Sequence, residues 1–172
     1  MLTSKIKFQT PKIFMAWSYK IQSVLSHKKI IWSAIGASLV GDGSYMIFLY
    51  QIFAKQESFR KWIDGYKNYG QIGQLLEARP EIIESLHHKA LIMFWIMAAL
   101  LVGINGHHYI KFHQGSKRAT NFMKQLGFIG AIFGFLTISE AQEQGPLWMW
   151  WMILMIPLYF GVYLLSLASE KN

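Results

Sequence analysis

Four long apolar runs, each bounded by polar stretches, organise the chain. They cover Ile30–Phe53, His88–His107, Thr120–Ser139 and Pro146–Ala168. Each is close to the roughly 20 residues an α-helix needs to cross about 30 Å of hydrocarbon at 1.5 Å per residue. The pattern predicts an all-α fold, an integral membrane four-helix bundle with spans at about 30–53, 88–107, 120–139 and 146–168. All of residues 1–172 then belong to a single membrane domain. The third run is the weakest, because Lys124 interrupts it. Its support is Gly127, Gly130 and Gly134, a small-residue face containing a GxxxG, which lets a neighbouring helix approach closely.

The stretches between the runs carry their own patterns. From Pro11, apolar residues recur at Phe14, Trp17, Ile21, Val24 and Leu25, with Lys12, Ser18, Lys20, Gln22 and Ser23 between them. That period of about 3.6 predicts a basic amphipathic helix within residues 1–29, lying in the headgroup plane or docked on a partner through the same stripe. No compact apolar region ending in small residues lies in that segment, so no cleavable signal peptide is expected. Residues of about 54–79 read as a short extramembrane loop in which Phe59, Trp62, Tyr66 and Tyr69 alternate with charges, an interfacial or docking segment. Pro80 suits the first turn of a helix that meets no further proline before Phe112. Such a helix would be about 50 Å long, so its first turns should project beyond the bilayer. The fourth run opens with Pro146 and the belt of Trp148, Trp150 and Trp151, and Pro157 should kink it.

Composition and charge agree with this reading. The chain is 53% hydrophobic with a net charge of +8, and its mean hydropathy of +0.25 is high for a soluble domain. The charge follows the spans. One side collects Lys5, Lys7, Lys12, Lys20, Lys28, Lys29, Lys111, Lys117, Arg118, Lys124 and Lys171 against Glu170, whereas acids match bases on the other. By the positive-inside rule both termini face cytoplasm, matrix or stroma, in a bacterial inner membrane or an organellar membrane. Basic residues arranged by topology rather than gathered on a soluble face argue against nucleic acid as a partner. The absence of cysteine excludes disulfides, thiolate metal sites and cysteine nucleophiles.

Two constellations carry candidate chemistry. Asp42 lies near the middle of the first run, where a charged side chain costs about 2.5–3.5 kcal/mol on insertion scales. Burial disfavours the charged form, so Asp42 is a candidate ion or proton site, or else a polar packing site that fixes helix register. Ser38 and Tyr45 lie one turn away on either side and are its candidate neighbours. Gly41 and Gly43 flank it and should weaken the helix there, inviting a bend. The second constellation is histidine. His27, His107 and His108 fall at the basic side and are candidate haem ligands. His113 lies beyond them, and His87 and His88 fall at the other end of the second run.

No phosphate-binding GxxxxGK[ST], GxGxxG, GxSxG or HExxH is present, so nucleotide hydrolysis and the common hydrolase chemistries have no support. The resulting expectation is a non-catalytic accessory or assembly subunit of a larger membrane complex, with the lipid bilayer and other membrane subunits as partners. A small proton- or cation-conducting protein using Asp42 and a haem-binding redox protein are the alternatives.

Overall fold

A computed structural model describes residues 11–64 and 81–170 of the chain. The described residues form α1 (Lys12–Val24), α2 (His27–Ala54), α3 (Gln56–Asp64), α4 (Glu81–His113), α5 (Lys117–Leu136), α6 (Ile138–Gln144) and α7 (Pro146–Ala168), with no strand among them. Tyr66, Tyr69 and Pro80 lie outside the described residues. By length and composition α2, α4 and α7 can each cross a membrane, and α5 with α6 makes a fourth span if the bent pair is taken as one. The chain is thus an all-helical protein of multi-pass membrane type.

The third span departs from the expected continuous helix over 120–139. It starts at Lys117, stops at Leu136 and turns by 50° into α6. At the junction the Thr137 hydroxyl donates to Phe133 O at 2.9 Å and lies 3.3 Å from Gly134 O. Lys124, the charge that interrupts this run, donates to Glu170 Oε1 at 2.6 Å beyond the end of α7, so its charge is paired at the basic end of the bundle.

The bend expected at Gly41-Asp42-Gly43 does not form as a break, and α2 runs helical from His27 to Ala54. Tertiary packing offsets the low helix propensity of glycine, because Gly41 is buried against α7. Helix α4 also runs unbroken through Gly103 and Gly106 over its 33 residues, and α7 continues past Pro157.

The organising element is α7, which packs on α1, α2, α5 and α6. At the basic end of the bundle Ile31, Ala34 and Ile35 of α2 meet Tyr109 and Phe112 of α4, Ala119 and Met123 of α5, and Val162 of α7. Toward the other end Phe48 and Ile52 pack with Ala141, Met152, Met155 and Tyr159. The glycine face of α5 is what brings it onto α7: a Cβ at Gly127 would lie 2.5 Å from Tyr163 N and 2.7 Å from Tyr159 O. Only a residue without a side chain permits that approach.

The loop region begins as helix α3, whose Phe59 and Ile63 are buried, one turn apart, against Ile83 of α4. Its aromatic residues turn inward, with Phe53 5.6 Å from Trp62 and 6.1 Å from Phe59 between ring centroids.

Helix α1 corrects another expectation. Phe14 meets Phe160 and Tyr163 edge-on at 5.6 and 5.8 Å, and eight residues later Gln22 Nε2 donates to Ala168 O at 2.8 Å. The contacts advance equally along both helices, so α1 runs beside the last turns of α7 in the same direction rather than flat across the bundle end. The predicted stripe is divided by this docking. Phe14 and Ile21 face the bundle, while Trp17 and Val24 are 54% and 76% exposed.

Candidate functional site

The Asp42 carboxylate is where three helices meet. Asn105 and Tyr109 sit one turn apart on α4, so their side chains share a face, and Tyr159 comes from the middle of α7. Asn105 Nδ2 donates to Asp42 Oδ2 at 2.7 Å, the Tyr109 hydroxyl donates to the same oxygen, and the Tyr159 hydroxyl donates to Oδ1 at 2.7 Å. Asn105, Tyr109 and Tyr159 are all buried, whereas Asp42 is only partly so.

An ionised carboxylate offers about four acceptor positions, and three neutral donors occupy three of them. Hydrogen bonds to a charged group are worth about 1.5–3 kcal/mol in proteins generally, and interhelical bonds within membranes average about 0.6 kcal/mol. Three of them are therefore comparable with the cost of placing the acid in the bundle.

The tyrosine at the centre of this site needs the glycines around it. A Cβ at Gly41 of α2 would lie 2.6 Å from Tyr159 Cζ, and one at Gly130 of α5 would lie 2.6 Å from Tyr159 Cγ. The ring is thus held between α2 and α5, and its hydroxyl is aimed at Asp42.

Of the expected neighbours, neither Ser38 nor Tyr45 is seen bonding to Asp42. Ser38 is fully buried and donates back to Ala34 O of its own helix at 2.9 Å. The Tyr45 hydroxyl lies 3.4 Å from Gly130 O of α5, and its ring is 5.8 Å from that of Tyr159. The true partners were hidden because helical spacing reveals neighbours on the same helix only. Asn105 was the one available signal, as an amide in an otherwise apolar stretch.

The histidines do not assemble into a common site. His27 lines a cleft of about 590 Å³ at the basic end of the bundle, to which neither His107 nor His108 contributes. The His108 ring stacks on Phe122 of α5 at 3.8 Å, and His107 is exposed beside it. His113 packs on Trp32 at 4.9 Å. His87 Nε2 is 2.8 Å from Phe53 O, tying α4 to the last turn of α2. Among the described residues no group of three or more histidines and acids is placed to hold a metal ion.

Protein-family models, curated proteins and solved structures provide no match to this chain. The site must therefore be read from its own geometry. Beside it, α4 turns most of its surface away from the bundle: Trp95, Met97, Val102 and Ile104 are each more than half exposed, and only 17% of its most apolar stretch is buried. An apolar surface of this extent needs lipid or protein against it.

Proposed function

We propose that this chain is a non-catalytic accessory or assembly subunit of a larger membrane complex, and that Asp42 fastens its bundle. The observation that supports this reading is the use of the Asp42 carboxylate. Both oxygens accept bonds from other helices, one from Tyr159 and the other from Asn105 and Tyr109. A transported proton or cation would have to compete with these donors. The outward apolar face of α4 supplies the surface on which bilayer and partner subunits would sit.

On this reading α5 and α6 count as one pass, and four passes would leave both termini on the same side, the basic one, which the positive-inside rule assigns to the cytoplasm, matrix or stroma. Reporters fused at Gly115 and at Gly70 should then be found on opposite sides.

The deciding experiment is native mass spectrometry of the protein extracted gently from its own membrane. A reproducible larger assembly is the expected result. A lone chain or homo-oligomer would overturn the subunit reading. Added haem mass with a Soret band would replace it with redox function, and ion flux that is lost in Asp42→Asn would replace it with transport.

A further inference from the structure

We infer that a wedge between α4 and α5, open in the half of the bundle away from its basic end, receives a membrane-spanning helix of a partner subunit that carries a lysine or arginine for Asp42. The inference rests on the subunit reading above and adds the chemistry of the partner.

The wedge follows from where α4 makes its contacts. At the basic end α4 packs on α5, with Tyr109 and Phe112 gathered against Ala119 and Met123 and the His108 ring stacked on Phe122. Toward the other end it leans on α2 and α3 instead. Phe94 meets Tyr50 and Phe53 at 6.1 and 6.0 Å between ring centroids, and Ile83 packs with Phe59 and Ile63. The core built there around Phe48 and Met152 includes no residue of α4 among the described residues.

Helical spacing locates the opening on both walls. Phe94, Ala98, Leu101, Asn105 and Phe112 share one face of α4 by their spacing. All are buried except Leu101, which is 41% exposed. On α5 the face that carries Phe122 continues through Ile129 and Phe133, yet these two are 49% and 55% exposed. Two faces that pack together at one end of the bundle thus stand apart beyond it.

Asp42 lies where the wedge closes. Leu101 is one turn from Asn105, whose amide donates to Asp42 Oδ2. That oxygen accepts a second bond from Tyr109, whereas Oδ1 accepts from Tyr159 alone. One acceptor position of the carboxylate is therefore open, and Asp42 is only partly buried. No Lys or Arg lies on α2 between Lys29 and Lys55, on α4 between Lys89 and Lys111, or on α7, and Lys124 of α5 is paired with Glu170. As an ion, the acid has no counter-charge at its own depth among the described residues. A lipid acyl chain would fill the apolar wedge and leave that charge alone, and a hydrated cation would shed its water for a single ligand position. A long basic side chain on an apolar helix matches both features, its stem along Leu101 and its head on Oδ1. It needs only the open position, so the three donors stay in place.

The test measures energy transfer between the labelled full chain and labelled synthetic membrane-spanning peptides of about 20 apolar residues in phosphatidylcholine vesicles. The peptides differ only at their centre, which is lysine, leucine or glutamate. The lysine peptide should associate with wild type at least about threefold more tightly than the leucine peptide, the equivalent of one average hydrogen bond between helices in a membrane. The glutamate peptide should bind no better than the leucine one. Asp42→Asn should lower the lysine peptide to the level of the leucine peptide. Leu101→Trp, which fills the wedge, should weaken it as well, and Ile96→Trp, on the opposite side of α4 from Asn105, should leave it unchanged. Equal association of the three peptides with wild type would overturn the inference, a result that depends on no variant folding. A lysine preference that survives both Asp42→Asn and Leu101→Trp would overturn it too. Native mass spectrometry separates the two readings. A larger native assembly without a lysine preference overturns this inference and leaves the subunit reading standing, whereas a lysine preference in a chain extracted alone supports the wedge as a site for a basic helix and removes the subunit reading.

Discussion

The hydroxyl of Tyr159 donates to Oδ1 of Asp42 at 2.7 Å, joining the middle of α7 to the middle of α2. The bond and the backbone spacing depend on one another. Tyr159 reaches the acid because Gly41, the residue before Asp42, leaves room for its ring. A buried aromatic with a polar tip needs both an apolar slot and a hydrogen-bond partner, and adjacent positions of α2 supply the two.

Gly41→Ala should therefore destabilise the bundle by about 1–3 kcal/mol, the usual cost of forcing atoms into a packed core. The ring cannot retreat, since Gly130 of α5 lies against it. Gly43→Ala is the matched control: nothing lies within 4 Å of its Cβ position, so it should be neutral or gain up to about 1 kcal/mol from helix propensity. Reversible unfolding in mixed micelles compares the two, and equal effects would show that Tyr159 does not occupy this slot.

Asp42→Ala and Tyr159→Phe should each destabilise the protein, by about 0.6–2 kcal/mol. Together they should cost less than the sum of the two, because both remove the same bond. A double-mutant cycle in the same micelles measures this, and strict additivity would show that the two side chains are not coupled.

Gly127→Ala should move α5 away from α7. Its Cβ would meet backbone rather than the end of a flexible side chain, so the helices must separate. Distances between spin labels on the outer faces of α5 and α7 should lengthen in the variant, and an unchanged distance distribution would refute the close approach.

Lys61, one turn after Glu57 on α3 and 3.0 Å from its carboxylate, holds the Glu57 carboxyl below its ordinary range, mainly through their hydrogen bond. A depressed folded value means that the contribution is present above the unfolded carboxylate pKa and is lost as the pH falls through the folded one. Both groups are exposed, so the effect on stability should be small and should fade with salt. A carboxylate titration by NMR should show Glu57 returning toward its ordinary range in Lys61→Ala.

The span pattern was legible wherever apolarity alone decides. The runs at Ile30–Phe53, His88–His107 and Pro146–Ala168 became α2, α4 and α7, and the glycines at 127, 130 and 134 marked the face that packs. Helix interruptions were harder to read. Two glycines beside Asp42 suggested a bend that packing suppressed, while nothing in the run announced the turn at Thr137. At the candidate site Asp42 was visible as a charge in an apolar stretch, but its three partners were not.

The sequence by itself determined that the chain is built of membrane-length helices with one acid near the middle of the first, because hydrophobic length and charge are properties of contiguous residues. Only the tertiary structure decided what that acid does. Asn105, Tyr109 and Tyr159 lie 63, 67 and 117 positions from Asp42 along the chain. Their meeting depends on which faces α4 and α7 turn toward α2. For α7 that rotation goes with the close contacts of Tyr159 with Gly41 and Gly130, a packing relation between helices that no periodicity within one helix encodes.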